Sequence, residues 1–427
     1  MTTNRGGRMT PNMTTESDKL SCIIVGAGLG GLAAALGLTK AGHKVTVLEQ
    51  APQLGEVGAG IQIPPNSSRI LIEWGIRDLL EPYCMAPANI FFRSYKDGHI
   101  LSQQPLNPYT TEKYGYPYWH VHRADFHRVL VEAVKREDVP ILLGKRVRTV
   151  DTDDNSVVTE DGSTYSADLI IGADGLKSMT RSLFATAEAY NTGQMAYRML
   201  IKSENLRTCP ELKELFAQPN LNFWLGPKMH CVVYFLQQGE QCNVVIIGPD
   251  TLSENAMVEP ASVEEMRALF EGWDPTFQKL ISFVDSTSKW KLQNSKELDS
   301  WVHPTANLAL LGDACHATLP CLAQGAAQAV EDAGVLAELL KTCTKENLHE
   351  TLKTYESIRK PRTTVVVTES TDLGDNVFHL DDGPLQQERD RKLSQSPPQV
   401  GCPNKWADPN FQKFLFSYNA FFEARTC

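Results

Sequence analysis

The stretch SCIIVGAGLGGLAAALGLTKAGHKVTVLEQ, residues 21–50, reads as a strand, a tight turn, a helix and a second strand. Ser21 to Val25 is a short β-branched apolar run, Gly26, Gly28 and Gly31 form G-x-G-x-x-G, and a helical stretch follows from Leu29 to about Lys40. That order aims a helix N-terminus at a pyrophosphate. Gly26 permits the turn, Gly28 lets a phosphate approach the backbone, and Gly31 lets helix and strand pack closely. The second strand, Lys44 to Leu48, ends at Glu49, where a carboxylate accepts hydrogen bonds from adenosine ribose hydroxyls and repels a 2′-phosphate. FAD or NAD therefore fits this pocket better than NADP. Leu20 to Leu38 is apolar enough to resemble a membrane span, but its glycines and βα pattern make it a buried first strand and helix.

Composition narrows the class. A chain of 427 residues has room for two domains with substantial cores. A net charge of −10, with no dense Lys/Arg run, argues against nucleic acid as a partner. Ten cysteines occur without a CxxC pair, which points to free thiols in a reducing, cytoplasmic setting. Residues 1–19 are polar without an apolar core and read as a disordered tail. Their arginines and hydroxyl residues resemble a transit peptide in composition, while Glu16 and Asp18 count against one. No transmembrane segment and no membrane partner are expected elsewhere.

Along the chain, residues 20–90, 120–190 and 300–370 are expected to form one discontinuous nucleotide domain. Residues 91–119 and 191–299 form a smaller substrate domain, and 371–427 a C-terminal loop and helix. Phe91 to Trp119 reads as a crossing segment, and Arg123 to Lys135 as a helix with apolar Phe126, Val129, Leu130 and Val134. Val147 to Tyr165 resembles a hairpin around Asp161-Gly162. The runs MAYRMLI, LNFWLG, HCVVYFLQ and CNVVIIG read as antiparallel strands whose face is a plausible substrate platform. Ser262 with Glu265 forms a capping box opening a helix through Trp273. Helices follow at Gly325 to Leu340 and at Leu348 to roughly Val367, the second disturbed at Pro361. Residues 381–410 read as a long loop, and Phe411 to Phe422 as helical.

GAGLGG with Glu49, HRADFHRVL, IIGADGLKSMTR and GDACHATLPCLAQGAAQAVEDAG together resemble the class A FAD-dependent aromatic monooxygenases, within them the fungal salicylate hydroxylase-like branch. The resemblance runs from about residue 20 to 424. It implies an α/β fold in which a Rossmann-like FAD-binding domain is interleaved with a smaller antiparallel-sheet substrate domain, plus C-terminal helices. It also implies FAD contacts from Gly26, Gly28, Gly31, Glu49, Gly60, Arg123, Asp174, Asp313, Gly325 and Ala326. Arg123 matches the arginine that reaches the pyrophosphate. Asp174, with Ser178 and Arg181, matches the aspartate that organises the flavin and the nicotinamide route, although it can equally cap the helix expected after it. Asp313 matches the ribityl ligand, and Gly325 with Ala326 opens a helix whose positive end stabilises anionic reduced flavin. The family has glycine where Ala323 stands, and a methyl is tolerable there unless the backbone needs positive φ.

For substrate activation the resemblance singles out Arg198 and Tyr234 as the pair that grips a phenolate. The alternative for them is an edge-strand arginine and an ordinary sheet tyrosine. His316 has no companion ligands at metal spacing and reads as a loop-organising residue, and His120 with His122 makes no metal site. No metal is expected. The implied reaction uses NADPH or NADH and O2 to hydroxylate an electron-rich aromatic through a flavin C4a-hydroperoxide, in a monomer or homodimer. Oxidation or epoxidation of an indole alkaloid, an NAD-dependent dehydrogenase and a non-catalytic binder on this fold remain as alternatives.

Overall fold

The structure is a computed structural model that describes residues 19–55, 58–186 and 188–427. All but the last residue of the expected polar tail therefore lies outside the described residues.

The opening strand Ser21–Val25 pairs in parallel with Lys44–Leu48 on one side and Leu169–Gly172 on the other. Leu308–Leu310 extends this sheet beyond Leu169–Gly172, and Ile141–Leu142 beyond Lys44–Leu48. The strands are buried on both faces, as their near-continuous apolar sequences require. Helix Leu29–Lys40 packs against them with nine residues buried. This arrangement dictates where the site lies. The three glycine motifs follow the carboxyl ends of three adjacent parallel strands, so residues far apart in sequence meet above one edge of the sheet.

The second large element is an eight-stranded sheet. Its centre is antiparallel, with Ala189–Lys202, Gln241–Pro249, Met229–Leu236 and Leu221–Gly226 in register, and Asn89–Ser94 joins Leu221–Gly226 in parallel. Period-two alternation divides its faces. Met195, Tyr197, Cys231, Val233, Val244 and Ile246 pack with Phe270 and Phe277 on one side. Ala196, Arg198, Val232, Tyr234, Val245 and Ile247 turn to the other, toward the glycine motifs.

Several expected elements differ. Phe91 to Trp119 is not a bare crossing but contributes strands Asn89–Ser94 and Ile100–Pro105. The hairpin at 147–165 is a three-stranded sheet. Ser262 does cap its helix, accepting from the Glu265 amide at 3.1 Å, but the helix ends at Ala268 because the chain turns back through Gly272 at φ +80°. Helix Leu348–Leu373 continues through Pro361. Arg359 and Arg362, on either side of that proline, are both held by the buried Glu331 carboxylate, which clamps the helix across the missing amide. Within 381–410, Pro384 at the first helical position starts Pro384–Leu393. Phe411 to Phe422 is split between helices Pro409–Phe416 and Ala420–Arg425, capped by Asp408 and Asn419.

No helix is long and apolar enough to cross a membrane among the described residues. All ten cysteines are free, and nine of them are buried.

Candidate dinucleotide and substrate site

Gly26 adopts φ +105°, and a β-carbon there would stand 2.5 Å from the Ala173 carbonyl oxygen. At Gly31 a β-carbon would lie 2.0 Å from the Gly26 carbonyl oxygen, so helix and turn approach too closely for any side chain. A β-carbon built at Gly28 would meet nothing within 4 Å, so that side of its backbone is open to a ligand. Glu49 braces this turn. It accepts the Ala27 amide at 2.7 Å through Oε2 and the Ala51 amide at 2.8 Å through Oε1, and each oxygen keeps acceptor capacity for a ribose hydroxyl.

The second motif is tied to the first and the third by backbone bonds, Ala173 N–H to Val25 O at 2.9 Å and Leu311 N–H to Gly172 O at 2.9 Å. Asp174 organises its own loop: its carboxylate accepts from the Met179 and Thr180 amides and from the Ser178 and Thr180 hydroxyls. Its neighbours Ala173 and Gly175 line the cavity, so any effect of Asp174 on a ligand passes through the loop it shapes. Arg181 bonds the Leu176 and Ala314 carbonyls, locking this loop to the third motif.

Asp313 is exposed at the cavity and makes no hydrogen bond or ion pair with any described residue. Its loop is indexed from beneath. Asp332, fully buried, accepts the Gly312 amide at 3.0 Å, His316 Nε2 at 2.6 Å and Arg359 Nε at 2.8 Å. Glu331 next to it receives Arg359 at 2.6 Å, Arg362 at 2.7 and 2.8 Å, and Asn66 at 2.6 Å. These cations hold both carboxyls below the usual range against the opposing effect of burial. Cys315, His316 and Asp332 stand close enough to suggest a metal site. The Arg359 guanidinium already occupies the same carboxylate, so the group reads as a hydrogen-bonded support. Ala323 sits at φ +53°, so the backbone does require the left-handed region where the sequence puts a methyl. Gly325 and Ala326 open the helix Gly325–Leu340, and both line the cavity.

The cavity encloses 420 Å³. Gly28, Gly60, Arg123, Asp313, Gly325 and Ala326 border it on the nucleotide side, and Arg198 and Tyr234 on the sheet side. Gly26 and Gly31 shape the turn, and Glu49 braces it, without lining the cavity. The Arg198 guanidinium lies 5.0 Å from the Trp290 ring centroid, and no carboxylate among the described residues pairs with it. Burial, then the proximity of Arg123, lowers its pKa, and Tyr234 opposes that shift. The guanidinium nevertheless stays charged at neutral pH. Tyr234 is buried with its phenol pKa pushed up, so its hydroxyl remains a donor. The Arg198 guanidinium and the Tyr234 phenol, set beside apolar Phe223, Val232, Val245 and Ile247, suit an aromatic anion.

His230 also lines this wall, buried, on the strand of Tyr234. Sequence reasoning passed over it, although four residues along one strand returns to the same face. His120, its pKa pushed down to about 3 by burial, packs against Tyr234 with centroids 4.4 Å apart and ring planes tilted by 50°. His122 caps the helix at Arg123 by accepting the Ala124 amide.

The glycine turn, the bracing carboxylate, the open helix N-terminus and an Asp313 with no partner among the described residues suit a dinucleotide-binding protein with a substrate wall. FAD fits the residues present, because Gly28 leaves its backbone clear and Asp313 offers an unclaimed acceptor. The FAD binding domain family matches residues 19–370. The FAD-dependent monooxygenase OpS4 of Beauveria bassiana (strain ARSEF 2860) is 36% identical over 96% of this chain and 97% of its own. The 6-hydroxynicotinate 3-monooxygenase of Pseudomonas fluorescens is 37% identical over 80% of this chain and 88% of its own. A salicylate hydroxylase substrate complex superposes with a TM-score of 0.79 at 25% identity, covering 96% of this chain and 98% of the other. The chain belongs to the FAD binding domain family and is a FAD-dependent monooxygenase of the aromatic hydroxylase type.

Proposed function

We propose that this enzyme uses NAD(P)H and O2 to hydroxylate a phenolic aromatic small molecule, with a hydroxylated aromatic acid as the leading substrate class. The observation that carries this reading is Arg198, a half-buried cation without a carboxylate partner among the described residues, facing the same cavity as Tyr234 and Asp313. The relatives named for 6-hydroxynicotinate and salicylate take substrates of that chemistry. An indole would leave the Arg198 charge in the cavity without an anion to balance it.

Bound FAD supplies the redox chemistry, taking reducing equivalents from NAD(P)H and activating O2 for transfer of one oxygen atom. The chain supplies the surroundings. Gly28, Arg123, Asp313 and the amides of Gly325 and Ala326 hold the cofactor, and the positive end of helix Gly325–Leu340 favours negative charge beside it. Arg198 and the Tyr234 hydroxyl donate to the substrate oxygen, favouring phenolate, which is the more electron-rich ring. The apolar wall excludes water and holds the ring in place. NAD(P)H binds transiently, since the sequence holds no second G-x-G-x-x-G opening a βαβ unit.

The test is a screen of hydroxylated aromatic acids that follows NAD(P)H oxidation together with product mass. A gain of one oxygen atom per turnover on a phenolic acid is expected. Oxidation of NAD(P)H without mass gain on every phenol, with gain on an indole, would overturn the substrate class.

A further inference from the structure

Ala189–Lys202 and Thr287–Ser295 run antiparallel, with Ala196 opposite Trp290 and Arg198 opposite Ser288. Trp290 is therefore the diagonal neighbour of Arg198 on one face of the sheet, within reach of a long side chain. The same face carries Ala196 and Leu292, which border the cavity, whereas Trp290 does not. The Arg198 guanidinium lies over the indole, 5.0 Å from the ring centroid. A cation that borders the cavity thus rests on a ring that stands outside it.

No other attachment to a described residue fixes that cation. Arg198 makes no hydrogen bond or ion pair with any described residue, and Arg123 nearby carries the same charge. Both Arg198 and Trp290 are half-buried. A guanidinium on a long flexible stem, repelled by a second cation and hydrated by water, turns outward unless something holds it. The indole face offsets that pull, because its quadrupole attracts a cation more strongly than the other aromatic side chains do, and more so where water is partly excluded.

We propose that Trp290 is the positioning residue for Arg198: the indole keeps the guanidinium at the cavity before substrate arrives, and so sets how tightly the enzyme binds an aromatic anion. This rests on the phenolic acid reading given above. Trp290 touches neither substrate nor cofactor and acts through Arg198 alone. With the cation already in place, binding does not bear the entropic cost of fixing a mobile side chain.

The experiment titrates FAD-loaded wild type, Trp290→Leu, Trp290→Phe, Arg198→Ala and the Trp290→Leu/Arg198→Ala double variant with 2,4-dihydroxybenzoate, following the flavin absorption band to saturation. Trp290→Leu is expected to weaken binding about 5- to 10-fold when Arg198 is present, and by less than about twofold in the Arg198→Ala background. Trp290→Phe, which keeps a ring face, is expected to recover most of the loss. Flavin content and a thermal melt check that each variant is folded, and Trp290→Met gives the same comparison if leucine disturbs the sheet. Equal weakening in both backgrounds makes Trp290 an ordinary packing residue and overturns the proposal. Unchanged binding in a folded Trp290→Leu or Trp290→Met overturns it too. Failure of FAD-loaded wild type to bind 2,4-dihydroxybenzoate or any other hydroxylated aromatic acid overturns the phenolic acid reading, and the proposal with it.

Discussion

A β-carbon on Gly60 would stand 2.5 Å from the hydroxyl oxygen of Tyr234. The glycine expected to serve the cofactor thus also sets the depth of the substrate wall, and its amide donates to Asn243 Oδ1 at 3.2 Å on the neighbouring strand. Tyr234 cannot retreat, because His120 packs against its ring. Gly60→Ala is therefore expected to keep FAD and to lower kcat/KM by about a hundredfold through a displaced Tyr234. Steady-state kinetics on the substrate from the mass screen, with a flavin spectrum, checks this, and unchanged kcat/KM would contradict it.

Asp313 has no protein partner among the described residues, so its removal leaves no protein group unsatisfied. Asp313→Ala should leave the melting temperature of the FAD-free protein unchanged and weaken FAD binding by about 10- to 100-fold, the worth of one charged hydrogen bond. Equilibrium dialysis and a melt separate the two effects.

The Glu331–Asp332–Arg359–Arg362 cluster is buried on every side. Arg359→Met should destabilise the fold by about 3–5 kcal/mol, because two carboxylates lose their shared cation. Both carboxyls have folded pKa values below their unfolded ones. Their stabilisation is therefore complete above the ordinary carboxylate range and is lost as pH falls from about 4 through the depressed folded values. Urea unfolding across acidic pH should show a shallower acid loss in Glu331→Gln than in wild type.

Ala323 holds a left-handed conformation that opposes its Cβ by about 1–2 kcal/mol. Ala323→Gly removes that strain and adds unfolded-state entropy, for a net gain of about 0.5–1 kcal/mol. A rise in urea midpoint at constant slope is the expected reading.

Local chemistry carried much of this in the sequence. The turn at Gly26 to Gly31 and the helix after it are neighbours in the chain, and the parallel order of 308–310, 169–172 and 21–25 brings their following loops together. Arg198 and Tyr234 share a face because alternation on paired strands puts them there. Contacts between distant segments were not legible. The adjacent acids Glu331 and Asp332 are visible in the sequence, but not that Arg359 and Arg362 bring the cations to them. Pro361 misled because a tertiary clamp outweighs a local defect, and the loop expected at 381–410 hid a helix started by Pro384.

The central claim is that a phenolic acid docks between the Arg198 and Tyr234 wall and bound FAD. Titrating FAD-loaded wild type and Arg198→Ala with hydroxylated aromatic acids, while recording the flavin absorption band, tests it most directly. The account predicts a saturable perturbation in wild type, and in the variant full FAD retention with binding weakened by about 10- to 100-fold. Equal perturbation in both proteins would contradict it.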